Sequence, residues 1–144
     1  MFWQVTVDAS DPERLTRFWA AAMGWTGTPP EGEEPWQRYF RQRLGDQAAY
    51  TDRLFDPSGA PPTLWFQQVP EPKAGKNRLH LDLYPTGRDA GLTREQRTAL
   101  VDAEVARLVG LGASVLHVVA DGDLRDVDYF TVMRDPEGNE FCVS

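Results

Sequence analysis

Along the chain, alternating stretches give way to helical ones and back again, and the same order of switches occurs twice. Residues 2–8 alternate, with Thr6 between Val5 and Val7, as in a strand whose side chains point to opposite faces in turn. Ser10-Asp11-Pro12 then starts a helix, with Asp11 as N-cap and Pro12 in the first turn, where its missing N–H loses no partner. Leu15, Phe18, Trp19 and Ala22 follow on one face, and Gly24 can end it. A second helix is predicted from Thr93, which stands to Gln96 as in a capping box, burying Val101, Val105, Leu108 and Val109 before Gly112.

Strand patterns cover residues 48–55, 63–69, 78–84, 114–119, 128–133 and 140–143. Residues 34–44 break the alternation: Pro35 can open a helix, and Trp36, Tyr39, Phe40, Arg43 and Leu44 repeat at helical spacing. Its apolar face must be buried, either as a cover over a cavity mouth with at least one of Trp36, Tyr39 and Phe40 toward a ligand, or as ordinary core. The turns Asp56-Pro57-Ser58-Gly59 and Asp135-Pro136-Glu137-Gly138 each lead into a closing strand. The repeat predicts an α+β fold of two βαβββ modules, residues 1–69 and 77–144, joined by the linker 70–76 in one domain. Such a duplication builds a cleft.

Composition narrows the function. A net charge of −7 without a Lys/Arg cluster argues against a nucleic-acid partner. The single cysteine, Cys142, excludes an internal disulfide and a Cys-rich zinc site. No apolar run reaches membrane-spanning length, so no membrane partner and a cytoplasmic location are expected. His117 falls where alternation points it to solvent, while Asp8 and Asp82 occupy similar places on the first strand of each module.

The run Asp11-Pro12-Glu13-Arg14-Leu15 through Met23-Gly24-Trp25, then Lys76-Asn77-Arg78-Leu79-His80-Leu81-Asp82-Leu83, and finally Asp135-Pro136-Glu137-Gly138-Asn139-Glu140-Phe141-Cys142-Val143, resembles the glyoxalase-like branch of the vicinal oxygen chelate superfamily. The resemblance covers nearly the whole chain and implies a curled mixed sheet around a ligand cavity. It also implies either a lyase, isomerase or transferase, or a metal-free sequestering protein of the bleomycin-resistance type; a dimerisation module without a ligand is a third reading.

Metal-bearing members use two His with one or two Glu, and their positions carry over to Gln4, Gln67, His80 and Cys142. The register leaves Phe66 or Gln68 as alternatives to Gln67. Only His80 keeps a usual ligand type, so the expectation is no metal and no other cofactor. His80 becomes the candidate catalytic acid/base, or else an inward histidine bonded to Gln4 or Gln67. Gln4, Gln67, Cys142, Trp36 and Tyr39 become candidate ligand contacts, with a small buried hydrophobe the alternative for Cys142. The implied partners are a small molecule and a second copy of the chain, as a homodimer.

Overall fold

The computed structural model describes residues 1–120 and 129–144. The elements are β1 (Gln4–Ala9), α1 (Pro12–Met23), α2 (Pro35–Leu44), β2 (Arg53–Leu54), β3 (Thr63–Gln68), β4 (Asp82–Leu83), α3 (Arg94–Gly110), β5 (Ser114–Val119), β6 (Phe130–Arg134) and β7 (Glu140–Val143). They divide between two compact units, Met1–Pro72 and Lys73–Ser144. Each holds an open mixed sheet, ordered β1-β3-β2 in the first and β4-β7-β6-β5 in the second, which makes the fold α+β.

Helix starts follow their local chemistry. The Asp11 carboxylate accepts from the Arg14 N–H at 3.0 Å, and Gly24 closes α1 at φ 69°, a conformation that glycine adopts without strain. Thr93 and Gln96 form the reciprocal capping box of α3. Residues 34–44 are helical as expected, and the Gln37 side chain of α2 returns to the Glu34 N–H at 3.1 Å.

In the first unit α1 packs on β3, and Leu15, Phe18, Trp19, Leu54, Phe55, Leu64 and Phe66 form the core with Phe40 and Leu44 of α2. The second unit is built around Val101, Leu108, Met133, Phe141 and Val143. Val109, expected inside, is exposed. Val101, Val105 and Leu108 keep to one helical stripe, and eight residues beyond Val101 the turn has rotated past it.

Several strands are shorter than the alternation predicts. Residues 48–55 pair only at Arg53–Leu54, with an isolated bridge from Phe55 to Thr26, so the first unit reads βααββ rather than βαβββ. The missing strand's place in the chain is taken by α2. Residues 78–84 reduce to Asp82–Leu83, and 128–133 is observed from Phe130, Asp128 lying outside the described residues. Alternation says which residues share a face, but a strand also needs a neighbour to accept its backbone bonds.

Candidate functional site

The second unit gathers polar side chains on one face of its sheet. Asp82 on β4 lies opposite Cys142 on β7, Cys142 opposite Val132 on β6, and Val132 opposite His117 on β5. This row exists because β5 bulges between Val115 and His117. Without the bulge His117 would pair with Thr131, which is buried on the other face; the extra residue re-aims the imidazole. His117 is exposed, as expected, and also borders a cavity of about 690 Å³ with His80, Asp82 and Cys142. Leu116, Phe130, Val132 and Phe141 supply its apolar lining.

His80, Asp82 and Tyr84 alternate along the chain, so period-two geometry brings them to one side. His80 Nδ1 lies 2.9 Å from Asp82 Oδ1, and the Tyr84 hydroxyl donates to the other Asp82 oxygen at 3.5 Å. Arg88 donates to the Tyr84 hydroxyl, its guanidinium carbon 4.0 Å from the ring centroid. A carboxylate at Nδ1 favours the proton on that nitrogen and leaves Nε2 as the acceptor.

The Cys142 Sγ lies 4.0 Å from His80 Nδ1. Burial, reinforced by the Asp82 charge and a hydrogen bond to Asp82, pushes the thiol up to about 11 against a smaller opposing pull from Lys76. At neutral pH Cys142 is a protonated thiol, not a nucleophile.

Glu140 fixes the chain entering this site. Its carboxylate accepts from the Asn77 backbone N–H at 3.0 Å and pairs with Lys73 at 3.1 Å, while the Cys142 N–H donates to the Leu81 carbonyl at 3.0 Å. The Asn77 N–H chiefly, with help from Lys73 and against the cost of burial, brings the Glu140 carboxyl down to about 2.

Residues 4–144 match the family model of the glyoxalase-like domain. The chain belongs to the glyoxalase-like domain family. Solved structures of the glyoxalase/bleomycin resistance/dioxygenase superfamily share its fold. One, from Sphaerobacter thermophilus, is 15% identical with a TM-score of 0.55, covering 99% of this chain and 94% of the other. The fosfomycin resistance protein FosX of Mesorhizobium loti is 13% identical with a TM-score of 0.53, covering 97% and 86%. A lactoylglutathione lyase of Agrobacterium tumefaciens is 17% identical with a TM-score of 0.51, covering 99% and 90%. No curated protein sequence matches this glyoxalase-like chain.

The structure assigns the expected site residues of this glyoxalase-like chain to both units, Gln4 and Gln67 to the first, His80 and Cys142 to the second. Gln67 shares a face of β3 with Thr63 and Trp65, whereas Phe66 is core. Gln4 pairs with Thr63 and Gln67 with Asp8, so the two amides stand four positions apart, roughly 13 Å along the strands. Two residues before Asp8 stands Thr6, the position His80 holds before Asp82.

Of the carried-over set only His80 is a usual ligand for a divalent ion, and the two neutral amides are weak ligands beside it. A different trio, His80, Asp82 and Cys142, has donor atoms within 4.8 Å of one another, but the imidazole and carboxylate already satisfy each other at 2.9 Å. Asp82 is the residue beside His80 that the candidate set left out. Its signal was the two-residue spacing from His80.

The other expected contacts separate. Trp36 stacks between Phe2, at 5.0 Å, and Phe55, at 6.5 Å, which ties it to the core of the first unit. Tyr39 is exposed and, with Gln4, borders a cavity of about 420 Å³. Cys142 is half-buried on the cavity face, between the buried Phe141 and Val143.

Proposed function

We propose that this glyoxalase-like chain is a small-molecule enzyme whose acid/base is His80, oriented by Asp82. The observation that carries the reading is the 2.9 Å His80–Asp82 pair at the wall of a largely apolar cavity of metabolite size. With Nδ1–H held by the carboxylate, Nε2 can take a proton from a carbon acid or hydroxyl of the ligand and return it elsewhere, the step shared by isomerase and lyase chemistry. Cys142, as a neutral thiol, contacts the ligand without attacking it. Gln4, Gln67 and Tyr39 belong to the first unit and carry no part of this step; the chain works as a cytoplasmic homodimer in this reading, and light scattering tests the assembly.

The deciding experiment is a thermal-shift screen of small metabolites, followed by NMR detection of product from each hit with the wild type and with His80→Gln. A ligand that stabilises both proteins but is turned over only by the wild type, roughly 10²–10⁴-fold faster, supports the acid/base role. Binding to both with turnover by neither identifies a sequestering protein of the bleomycin-resistance type and overturns the enzymatic reading.

A further inference from the structure

We infer that the first unit carries a binding site of its own for a small planar organic anion, recognised by the guanidinium groups of Arg53 and Arg43. The site is the cavity of about 420 Å³ bordered by α2, Tyr50 and the exposed face of β1 and β3. Its volume suits a mono- or bicyclic ligand.

The Arg53 guanidinium carbon lies 5.0 Å from the Phe40 ring centroid, 5.4 Å from that of Tyr50 and 5.3 Å from that of Trp65. Its side chain is only 15% exposed. Among the described residues none of its N–H groups makes a hydrogen bond, and Nε is fully buried without a partner. Asp52 forms an ion pair with Arg53, its Oδ1 3.7 Å from Nε and so beyond hydrogen-bond distance, and its other oxygen accepts from the Trp65 indole N–H at 3.1 Å. Aromatic faces attract a cation but accept no ordinary hydrogen bond, so the two terminal Nη groups of Arg53, which unlike Nε are not fully buried, are left to an acceptor that the protein does not provide. A buried donor without one is costly.

Arg43 adds a second charge at the same wall, its guanidinium carbon 5.4 Å from the Tyr39 centroid and without a carboxylate partner among the described residues. Both cations act on Tyr50, whose hydroxyl is nonetheless raised because burial outweighs them; it donates to the Phe40 carbonyl and so offers an incoming anion no competition. Two guanidinium groups beside the single carboxylate of Asp52 leave this wall net positive in a chain of net charge −7. Their planar forks match carboxylate or phosphonate oxygens, and the surrounding rings match a flat apolar body.

The test titrates 1-naphthoate, 1-naphthylphosphonate and the neutral 1-naphthamide into the full chain by calorimetry, while NMR follows the Trp65 indole N–H. Both anions should bind at least tenfold more tightly than the amide, weaken as salt is raised, and shift the Trp65 signal. Arg43→Gln, at an exposed position, should lose about tenfold in naphthoate affinity. Arg53→Gln risks unfolding, so Arg53→Lys is used; it keeps the charge, loses the fork and should also lose about tenfold. Equal binding of amide and acid, no binding of either anion at millimolar concentration, or unchanged naphthoate affinity in Arg43→Gln would each overturn the inference.

Discussion

In the second unit the parallel pair β4 and β7 sets Asp82 opposite Cys142, and His80 two residues earlier closes a cluster of three titratable groups. In the first, the parallel pair β1 and β3 sets Asp8 opposite Gln67, and the residue two positions earlier is Thr6. One backbone relation therefore carries an acid/base candidate in one unit and none in the other. The first unit places its charge instead on α2 and β2, as Arg43 and Arg53 beside aromatic rings. A duplicated module repeats its core requirements, because both copies must bury a helix on a sheet. The cavity-facing positions are free to differ.

If the cores are equivalent and only the cavity faces differ, truncating a fully buried aromatic should cost the same in either unit. Phe55→Ala and Phe141→Ala, at 0% and 1% exposure, are each expected to lose about 3–5 kcal/mol in denaturant unfolding. Trp36→Ala should fall near the lower end of that range because of its stacking on Phe55, and exposed Tyr39→Ala should cost under about 1 kcal/mol. Equal costs for Trp36 and Tyr39 would show that α2 is held by some other means.

The second unit should be the acid-sensitive one. Glu140 has a folded value of about 2 against an ordinary 4.5, so its stabilisation is complete above pH 4.5 and is lost as pH falls toward 2. Thermal melts across that window should show the loss, and Glu140→Gln should flatten it while costing about 1–3 kcal/mol at neutral pH. A wild-type profile unchanged by the substitution would remove Glu140 from the anchoring role.

Cap substitutions are smaller and should match across the units: Asp11→Ala and Thr93→Ala are each expected to cost about 1 kcal/mol. The finest difference is chemical. Cys142 should react slowly with a disulfide reagent at pH 8, its rate rising until about pH 11. Asp82→Asn should move that rise to lower pH, since the Asp82 charge and hydrogen bond raise the thiol, but not back to an ordinary thiol, because burial is the larger cause. Elemental analysis should find no stoichiometric divalent metal. A metal that survives chelation and is lost in His80→Ala would replace the acid/base dyad with a metal centre.

The sequence by itself determined the helices and the family. Asp11 with Pro12, and Thr93 with Gln96, are local signals whose hydrogen bonds close within one turn, so they survive without knowledge of the fold. It likewise placed a helix at residues 34–44 and picked out His80 by residue type. Tertiary structure alone decided the partners. That His80 meets Asp82 is a side-chain contact within the second unit, which residue type alone does not specify. That His117 turns to the cavity depends on one extra residue in β5, which leaves no mark in an alternating sequence. That Arg53 lies without a hydrogen bond among three rings depends on contacts from α2, β3 and Tyr50, brought together only by packing. Periodicity is written along the chain, whereas register, bulges and unsatisfied donors are relations between segments and exist only once the segments meet.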